Sequence, residues 1–342
     1  MNRIATATPA LRSSAFTEAG VRQKRAAAII EKDFWVCWML GLLFGHPEWS
    51  RGLVFKGGTS LSKVFNAIHR FSEDIDLSLC PVVLGINADV VENADSRRKR
   101  DHLMDDLETR CSCWVEKEVL PGLEQIATSI LGPRGGNRLW LEHARDDASH
   151  SPVLYFHYPC EHADGLPYIR RVVKLEFGSL TDQQPAGAHR VRPWVADSLN
   201  AEMREMGCEV VALEIERTFW EKATILHAEH HRAPGSAMPV RYSRHYSDLA
   251  SLFRSGLAER ALGDSQIRQR VVDWKTRFFA RAWARYDLAQ PGTFRLLPPP
   301  DRIPELERDY EEMREMFIGD PLSFSTIMGL LTELEKRINQ TP

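Results

Sequence analysis

Two stretches of the sequence decide the fold: Leu53-Val54-Phe55-Lys56-Gly57-Gly58-Thr59-Ser60 and Phe71-Ser72-Glu73-Asp74-Ile75-Asp76-Leu77-Ser78-Leu79. The first begins with a short β-type run that enters a glycine turn. Apolar residues then recur at three- and four-residue intervals, which predicts a helix after the turn. The second stretch alternates polar and apolar residues with period two, as a half-buried strand does. The carboxylates of Asp74 and Asp76 are therefore expected on one face of that strand.

This order of strand, glycine turn, helix and acidic strand suits a site for a nucleoside triphosphate and metal ions. Gly57 and Gly58 let the backbone approach phosphate oxygens closely, and the hydroxyls of Thr59 and Ser60 add donors. The two carboxylates can jointly hold Mg²⁺, with Mn²⁺ as an alternative, because Mg²⁺ prefers oxygen ligands and bridges to substrate phosphates. The reaction that such a site serves is in-line attack on a phosphoryl group, assisted by two metal ions.

Other charged residues are candidates for the same site. A third acidic residue usually completes such a metal cage, and Glu176 is the candidate because it alternates with apolar residues on a second predicted strand. Lys56 and Lys63 lie close to the glycines in sequence and are expected to bind the nucleotide, and Arg70 is likewise a candidate for a phosphate contact. Each of these cations is equally compatible with a solvated surface charge.

The remaining pattern predicts an α+β fold. Residues 15–45 have helical periodicity, and so does the heavily charged segment 89–130, whereas residues 153–158 and 171–177 are typical of strands. We expect a small mixed sheet of about five strands. Beyond about residue 210 the periodicity is helical, which predicts two lobes: residues 1–208 and residues 209–342.

Composition excludes several classes of protein. The 342 residues are 43% hydrophobic and 27% charged, as in a folded chain, and the formal net charge of -3 gives no global positive field for nucleic acid. The six cysteines include no CxxC pair, and no signal peptide is recognisable, so a cytoplasmic location is expected. The longest apolar run, around residues 34–44, is too short to cross a bilayer, and Trp35 and Trp38 within it have the spacing of a buried helix face.

A histidine cluster is the main competing candidate for a metal site. His227, His230 and His231 lie on a predicted helix, but the nearest carboxylate, Glu229, is two residues from His227 and points from another face. We therefore expect these histidines to be surface groups and not zinc ligands.

Four segments resemble signature segments of a known family, the AbiEii/AbiGii toxins, within the polymerase-β-type nucleotidyltransferase superfamily: Ile30-Glu31-Lys32-Asp33-Phe34-Trp35-Val36, Phe55-Lys56-Gly57-Gly58-Thr59-Ser60-Leu61-Ser62-Lys63, Arg70-Phe71-Ser72-Glu73-Asp74-Ile75-Asp76-Leu77 and Glu216-Arg217-Thr218-Phe219-Trp220-Glu221-Lys222-Ala223. The similarity spans about residues 25–255. It implies a polymerase-β-type core with a small mixed sheet, followed by a helical C-terminal lobe.

The resemblance also implies a function. Members of the family are the toxins of toxin–antitoxin and phage-defence systems, and the related MenT toxins transfer nucleotides to the 3′ end of transfer RNA. By this resemblance the chain is a growth-arresting, magnesium-dependent nucleotidyltransferase that uses a nucleoside triphosphate and an RNA acceptor, most simply tRNA. A separate antitoxin protein is the expected partner, because no winged-helix-like segment is left over once the two lobes are assigned.

Two further site residues follow from the resemblance alone. In the family, a lysine on the helix after the sheet and an aspartate on the next helix complete the active site, and Lys222 and Asp248 match those positions. A lysine ammonium suits the charge of a triphosphate, and an aspartate near the acceptor can orient or deprotonate its hydroxyl. Without the family, both would be read as ordinary helix-surface charges.

Two alternatives remain open at this point. The same core serves enzymes that modify a protein or a small molecule, which an assay with labelled triphosphate on separate acceptor pools distinguishes. The second alternative is a catalytically silent nucleotide-binding module, which would bind magnesium and triphosphate without turnover.

Overall fold

The computed structural model describes residues 1–147, 149–162, 170–199 and 205–340. Its fold is α+β, as predicted, with a mixed sheet and many helices. The chain forms two compact units. The first consists of Met1–Val64 and Glu73–Ala212, and the second of Phe65–Ser72 and Leu213–Pro342.

The sheet of the first unit has seven strands within the described residues, so the expected width of about five was too small. Their order is β3-β4-β5-β2-β1-β7-β6. Their bounds are β1 Leu53–Lys56, β2 Ile75–Leu79, β3 Leu141–Arg145, β4 Pro152–Phe156, β5 Val173–Gly178, β6 Ala186–Val191 and β7 Cys208–Leu213. β2 runs antiparallel to β1 and parallel to β5, and β1 is parallel to β7. The acidic strand β2 therefore lies in the middle of the sheet.

The helices of the first unit are α1 Asn2–Ala5, α2 Pro9–Gln23, α3 Ala27–Gly45, α4 Gly57–Lys63, α5 Ala88–Glu92, α6 Arg97–Trp114 and α7 Leu120–Leu131. The side chain of Thr8 caps α2 by accepting the amide N–H of Leu11, and a proline at the first helical position favours the start. A π-helical turn, Val115–Val119, joins α6 to α7. The predicted sequence of strand, glycine turn and helix is confirmed as β1 followed directly by α4.

The core of the first unit is built around the aromatic face of α3. The rings of Trp35 and Trp38 meet edge to face with centroids 5.5 Å apart, and Trp38 stacks on Phe156 of β4 at 5.4 Å. These side chains are at most 1% exposed, as the helical spacing of the tryptophans predicted. Such aromatic contacts stabilise the fold by their buried area and by ring geometry.

The second unit is helical, with α8 Ile215–His230, α9 Arg244–Arg254, α10 Ala258–Leu262, α11 Ser265–Phe278, α12 Ile303–Glu312 and α13 Phe324–Gln340. Short 3₁₀ turns lie between several of them. The segment Phe65–Ser72 belongs to this unit because Arg70 forms a β-bridge with Phe317, and the amide of Phe71 donates to the carbonyl of Met316 at 2.7 Å. In the part of the chain that the structure describes, no helix is both long and apolar enough to span a bilayer.

The histidines of α8 have structural partners, and the expectation that they are surface groups is wrong for His227. His227 is fully buried, its Nε2 donates to the carbonyl of Arg285 at 2.9 Å, and its Nδ1 accepts the amide N–H of Arg295 at 3.1 Å. His230 Nδ1 contacts the carbonyl of Leu297 at 2.7 Å. A second proton on His227 has no acceptor, since Nδ1 is already accepting. Burial accordingly lowers the pKa of His227 to about 4.

The neutral state of His227 makes stability depend on pH. As the pH falls from about 6.5 to about 4, the unfolded state gains a proton on this residue that the folded state does not take up, so stability falls. We expect the wild type to lose on the order of 2 kcal/mol more than the variant His227→Gln over this range. Urea unfolding at several pH values measures the difference. Parallel pH profiles for the two proteins would show that His227 does not titrate in this way.

Candidate functional site

The two aspartates of the motif lie at the start of β2. Asp76 is the second residue of the strand and is paired in register with Lys56 at the end of β1, whereas Asp74 immediately precedes the strand. Gly57 follows Lys56 with a φ of +81°, and a Cβ built on it would lie 2.0 Å from Oδ2 of Asp76. The carboxylate of Asp76 thus occupies the space that a side chain at position 57 would need. Only glycine fits this turn.

The hydroxyls after the glycines are used inside the loop. Thr59 Oγ1 donates to the carbonyl of Asp74 at 2.5 Å, Ser60 Oγ donates to the carbonyl of Gly57 at 2.9 Å, and both residues are fully buried. This arrangement argues against the expectation that Thr59 and Ser60 donate to a triphosphate. A hydroxyl has a single proton to donate, and each proton is already directed at a backbone carbonyl. Their role in the structure is to fix the glycine turn against the acidic strand.

Lys56 and Gly58 remain candidates for nucleotide binding. Lys56 is half-buried and lies directly opposite Asp76 on the neighbouring antiparallel strand, so its side chain is on the face of the sheet that carries Asp76. Gly58 is also half-buried and adds no side chain between the turn and a ligand. A cation beside a pair of carboxylates is the arrangement expected where a metal-bound polyphosphate binds.

Lys63 has a different position from the one predicted. Its Nζ lies 2.6 Å from Oδ1 of Asp33 and 4.5 Å from the ring centroid of Trp194, and its side chain is 4% exposed. Although burial opposes its charge, the carboxylate of Asp33 raises the pKa of Lys63, which keeps it protonated. The buried salt bridge corrects the prediction that Lys63 binds the nucleotide, because the ammonium group is enclosed in the protein.

Glu176 lies beside Asp76 but is held by a lysine. The two residues are partners in register between β5 and β2, so they share a face of the sheet. Lys174 Nζ bridges Glu176 Oε2 at 2.9 Å and Asp146 Oδ2 at 2.6 Å, and Ser149 Oγ donates to Glu176 at 3.1 Å. Despite partial burial, these carboxylates raise the pKa of Lys174. An ammonium on its carboxylate argues against Glu176 as the third metal ligand.

The remaining donor set fits a divalent cation only in part. Asp74 and Asp76 supply the carboxylate oxygens that Mg²⁺ and Mn²⁺ prefer, and the absence of a side chain at Gly57 lets the Asp76 carboxylate lie against the turn. Among the described residues, no group of three or more His, Cys, Asp or Glu side chains is arranged to hold a metal. A metal bound by the two aspartates would therefore complete its coordination with water and substrate oxygens, as is usual for Mg²⁺.

The second unit contains a buried charge cluster centred on Asp248. Arg70 Nε and a terminal nitrogen of the same guanidinium donate to Oδ1 and Oδ2 of Asp248 at 2.7 and 2.8 Å, and Lys222 Nζ donates to Oδ2 at 2.8 Å. Asp248 is 1% exposed. Burial alone would raise its pKa, but Arg70 and Lys222 outweigh burial and hold the pKa of Asp248 well below its usual range. Both carboxylate oxygens are engaged and the group stays ionised.

This geometry changes the interpretation of three predicted residues. Asp248 is poorly suited to take a proton from an acceptor hydroxyl, since its pKa is depressed and its oxygens are occupied. It instead orients Lys222, whose predicted position on the helix after the sheet is confirmed as α8. Arg70, predicted only as a phosphate contact, is the partner of an aspartate 178 residues away. Nothing in the local sequence around Arg70 signals that pairing.

Sequence reasoning also missed the role of Glu31, Lys32 and Asp33. They lie in the apolar helix α3, and each is 1% exposed. The available signal was their setting, because three successive residues point in different directions around a helix and an otherwise apolar helix exposes little of its surface. Charged residues in that position must be paired inside the protein.

Comparisons with known proteins identify the family of this chain. The sequence profile described as "Nucleotidyl transferase AbiEii toxin, Type IV TA system" matches residues 41–329. In three dimensions the chain is similar to MenT4, a nucleotidyltransferase toxin from Mycobacterium tuberculosis H37Rv, with 17% sequence identity and a TM-score of 0.46, over 98% of this chain and 91% of that chain. No curated protein sequence matches the chain. Since the profile covers most of its length, the chain belongs to the AbiEii family of nucleotidyltransferase toxins of type IV toxin–antitoxin systems.

Proposed function

We propose that this toxin transfers a nucleoside monophosphate from a nucleoside triphosphate to an RNA acceptor, the 3′ end of tRNA, in the cytoplasm. The observation that carries the proposal is the close approach of the Asp76 carboxylate to Gly57, with Asp74 tied to the same turn through Thr59. A glycine turn beside two carboxylates is suited to a polyphosphate and its metal ions.

In the proposed reaction each residue has a definite task. Asp74 and Asp76 would hold Mg²⁺ or Mn²⁺, and the backbone of Gly57 and Gly58 with the cation of Lys56 would bind the triphosphate. When bound, the metal neutralises charge on the phosphoryl oxygens. The acceptor hydroxyl oxygen forms a bond to the α-phosphorus, the bond from that phosphorus to the leaving oxygen breaks, and pyrophosphate departs. The hydroxyl proton passes to solvent, since the structure provides no suitable base in Asp248.

Lys222 and Asp248 enter the proposal through the family. In the family a lysine at the position of Lys222 serves the triphosphate and an aspartate at the position of Asp248 completes the active site. Within the second unit, Asp248 fixes both the ammonium of Lys222 and the guanidinium of Arg70. A buried carboxylate that serves two cations in this way contributes by orientation and not by proton transfer. The antitoxin of the system is a separate protein partner that restrains the toxin.

One prediction of the proposed function concerns the transfer reaction and its acceptor. The protein is incubated with total RNA, Mg²⁺ and each α-labelled nucleoside triphosphate in turn, beside the variants Asp76→Asn and Asp105→Asn. Asp105→Asn is the matched control because it removes the charge of an exposed aspartate on α6. We expect label in tRNA-sized RNA with the wild type and the control, and at least about a hundredfold less with Asp76→Asn, since a metal ligand is lost.

Other outcomes of this assay separate the alternatives. Label in a protein or small-molecule fraction, with RNA unlabelled, keeps nucleotidyl transfer and rejects the RNA acceptor. Binding of triphosphate and Mg²⁺ with no label in any fraction would indicate the silent module.

A second prediction concerns the glycine turn. Gly57→Ala places a Cβ against the Asp76 carboxylate in addition to the cost of a positive φ, whereas Gly132→Ala has a similar φ of +80° with nothing within 4 Å of the new Cβ. Each substitution costs roughly 1–3 kcal/mol of stability through its backbone conformation, and Gly132, at φ +80° and ψ 175°, lies in a region that essentially only glycine adopts. Gly57→Ala should also reduce transfer by about a hundredfold, because displacement of a reacting group by about 1 Å has that effect.

Thermal unfolding and the transfer assay, run on both glycine variants, test this expectation. Equal activity of Gly57→Ala and Gly132→Ala at equal folded fraction would mean that the position of Asp76 against the turn is unimportant for transfer.

A further inference from the structure

Burial of the charged triplet Glu31-Lys32-Asp33 of α3 has a desolvation free energy that other contacts must offset. Each residue is 1% exposed, and removing a charge from water costs several kcal/mol unless a partner and hydrogen bonds compensate. Glu31 finds its compensation in the backbone, since it accepts the amide N–H groups of Glu161 at 2.7 Å and His162 at 3.1 Å. Lys32 and Asp33 are compensated by charged side chains, Glu73 and Lys63. These partners lie on two segments that we call the motif segments, residues 73–76 and the helix α4.

Lys32 is paired with the residue that precedes the first aspartate. Its Nζ donates to Oε2 of Glu73 at 2.6 Å and to the carbonyl of Arg170 at 2.7 Å. The lysine side chain is 1% exposed and that of Glu73 is 11% exposed. Glu73 is joined by a peptide bond to Asp74, so this salt bridge fixes the chain next to Asp74.

Asp33 holds the other motif segment, the helix α4, and here the anion belongs to α3 and the cation to the motif segment. Its Oδ1 accepts Lys63 Nζ at 2.6 Å, and its Oδ2 accepts the amide N–H of Trp194 at 2.6 Å. Lys63 is the last residue of α4, the helix that begins at Gly57. Asp33 thereby fixes the far end of the short helix that carries the glycine turn.

The two salt bridges converge on one element. Thr59, in the middle of α4, donates to the carbonyl of Asp74 at 2.5 Å, so the segment held by Lys32 and the segment held by Asp33 are bonded to each other. Successive residues of one 19-residue helix hold both. Lys32 needs an anionic partner and Asp33 needs a cationic one. The segment with Glu73 and the helix with Lys63 therefore cannot exchange places on α3, and only one arrangement of the two satisfies both charges.

We propose that Lys32 and Asp33 are positioning residues that set the place of Asp74 and Asp76 for metal binding. The inference rests on the proposed function, because it concerns the same aspartates. Apolar residues of similar size often stabilise a core as well as a buried ion pair does. The ion pairs fix the side-chain orientations of Glu73 and Lys63, and they thereby fix the position of the backbone next to Asp74 and the glycine turn.

The test separates positioning from stability. The double variant Lys32→Met with Glu73→Gln removes both charges of one pair without leaving either buried alone. The matched control is Arg12→Met with Glu161→Gln, because Arg12 Nε also donates to a carboxylate in the first unit, at 3.0 Å, with side chains 9% and 15% exposed, and touches neither motif segment. Binding of Mn²⁺ alone is measured by electron paramagnetic resonance, and thermal unfolding and transfer rate against Mg²⁺ concentration are measured alongside.

We expect the motif double variant to bind Mn²⁺ about tenfold more weakly than the wild type and to need about tenfold more Mg²⁺ for half-maximal transfer. The control double variant should keep the wild-type Mn²⁺ affinity, whatever its unfolding temperature. Equal Mn²⁺ affinity of the motif variant and the wild type overturns the proposal while leaving the proposed function intact.

Two further comparisons cover the cases in which the aspartates bind no metal or the motif double variant does not fold. If the wild type binds no Mn²⁺, or if Asp76→Asn binds it as tightly as the wild type, the aspartates are not the metal site, and the proposed function fails together with this inference. If the motif double variant does not fold, Glu73→Gln alone decides, because the amide keeps the volume and an acceptor for Lys32. Unchanged Mn²⁺ affinity in folded Glu73→Gln overturns the proposal, and a loss of about threefold or more supports it.

Discussion

The close approach of Asp76 to Gly57 is the constraint on which the candidate site depends. A carboxylate can fill the place of a missing Cβ only where the residue is glycine, and the positive φ of Gly57 is a second reason for glycine at this position. The turn thereby brings the end of β1, the start of α4 and the acidic strand into one small volume. Hydrogen bonds from Thr59 and Ser60 to backbone carbonyls keep it closed.

Buried charge is the second theme of this molecule, and it recurs in both units. Asp33 with Lys63 and Lys32 with Glu73 lie in the first unit, and Asp248 with its two cations lies in the second. Such pairs add little net stability compared with apolar packing, because desolvation consumes most of the attraction. Their value is orientation: an ion pair fixes the direction of a side chain. For a reaction that depends on placing a metal and a polyphosphate, orientation is the useful property.

The sequence predicted the parts of this structure that local pattern controls. Period-two alternation located β2, the glycines located the turn, and helical spacing located α8 and α13. The strands β3, β6 and β7 were missed because Leu141–Arg145, Ala186–Val191 and Cys208–Leu213 lack clear alternation, so the predicted sheet was too narrow. The contacts of Lys63, Arg70 and Thr59 were not predicted, for a different reason. Their partners are set by tertiary contacts, and the partner of Arg70 is 178 residues away.

In the proposed site, Asp74 and Asp76 hold the catalytic metal beside the glycine turn. Anomalous diffraction from crystals of the protein soaked with Mn²⁺ tests it most directly, because manganese reports its own position. We expect an anomalous peak coordinated by carboxylate oxygens of both aspartates, and loss of that peak in crystals of Asp76→Asn. A manganese peak bound by other residues, with Asp74 and Asp76 free of metal at saturating concentration, would contradict it.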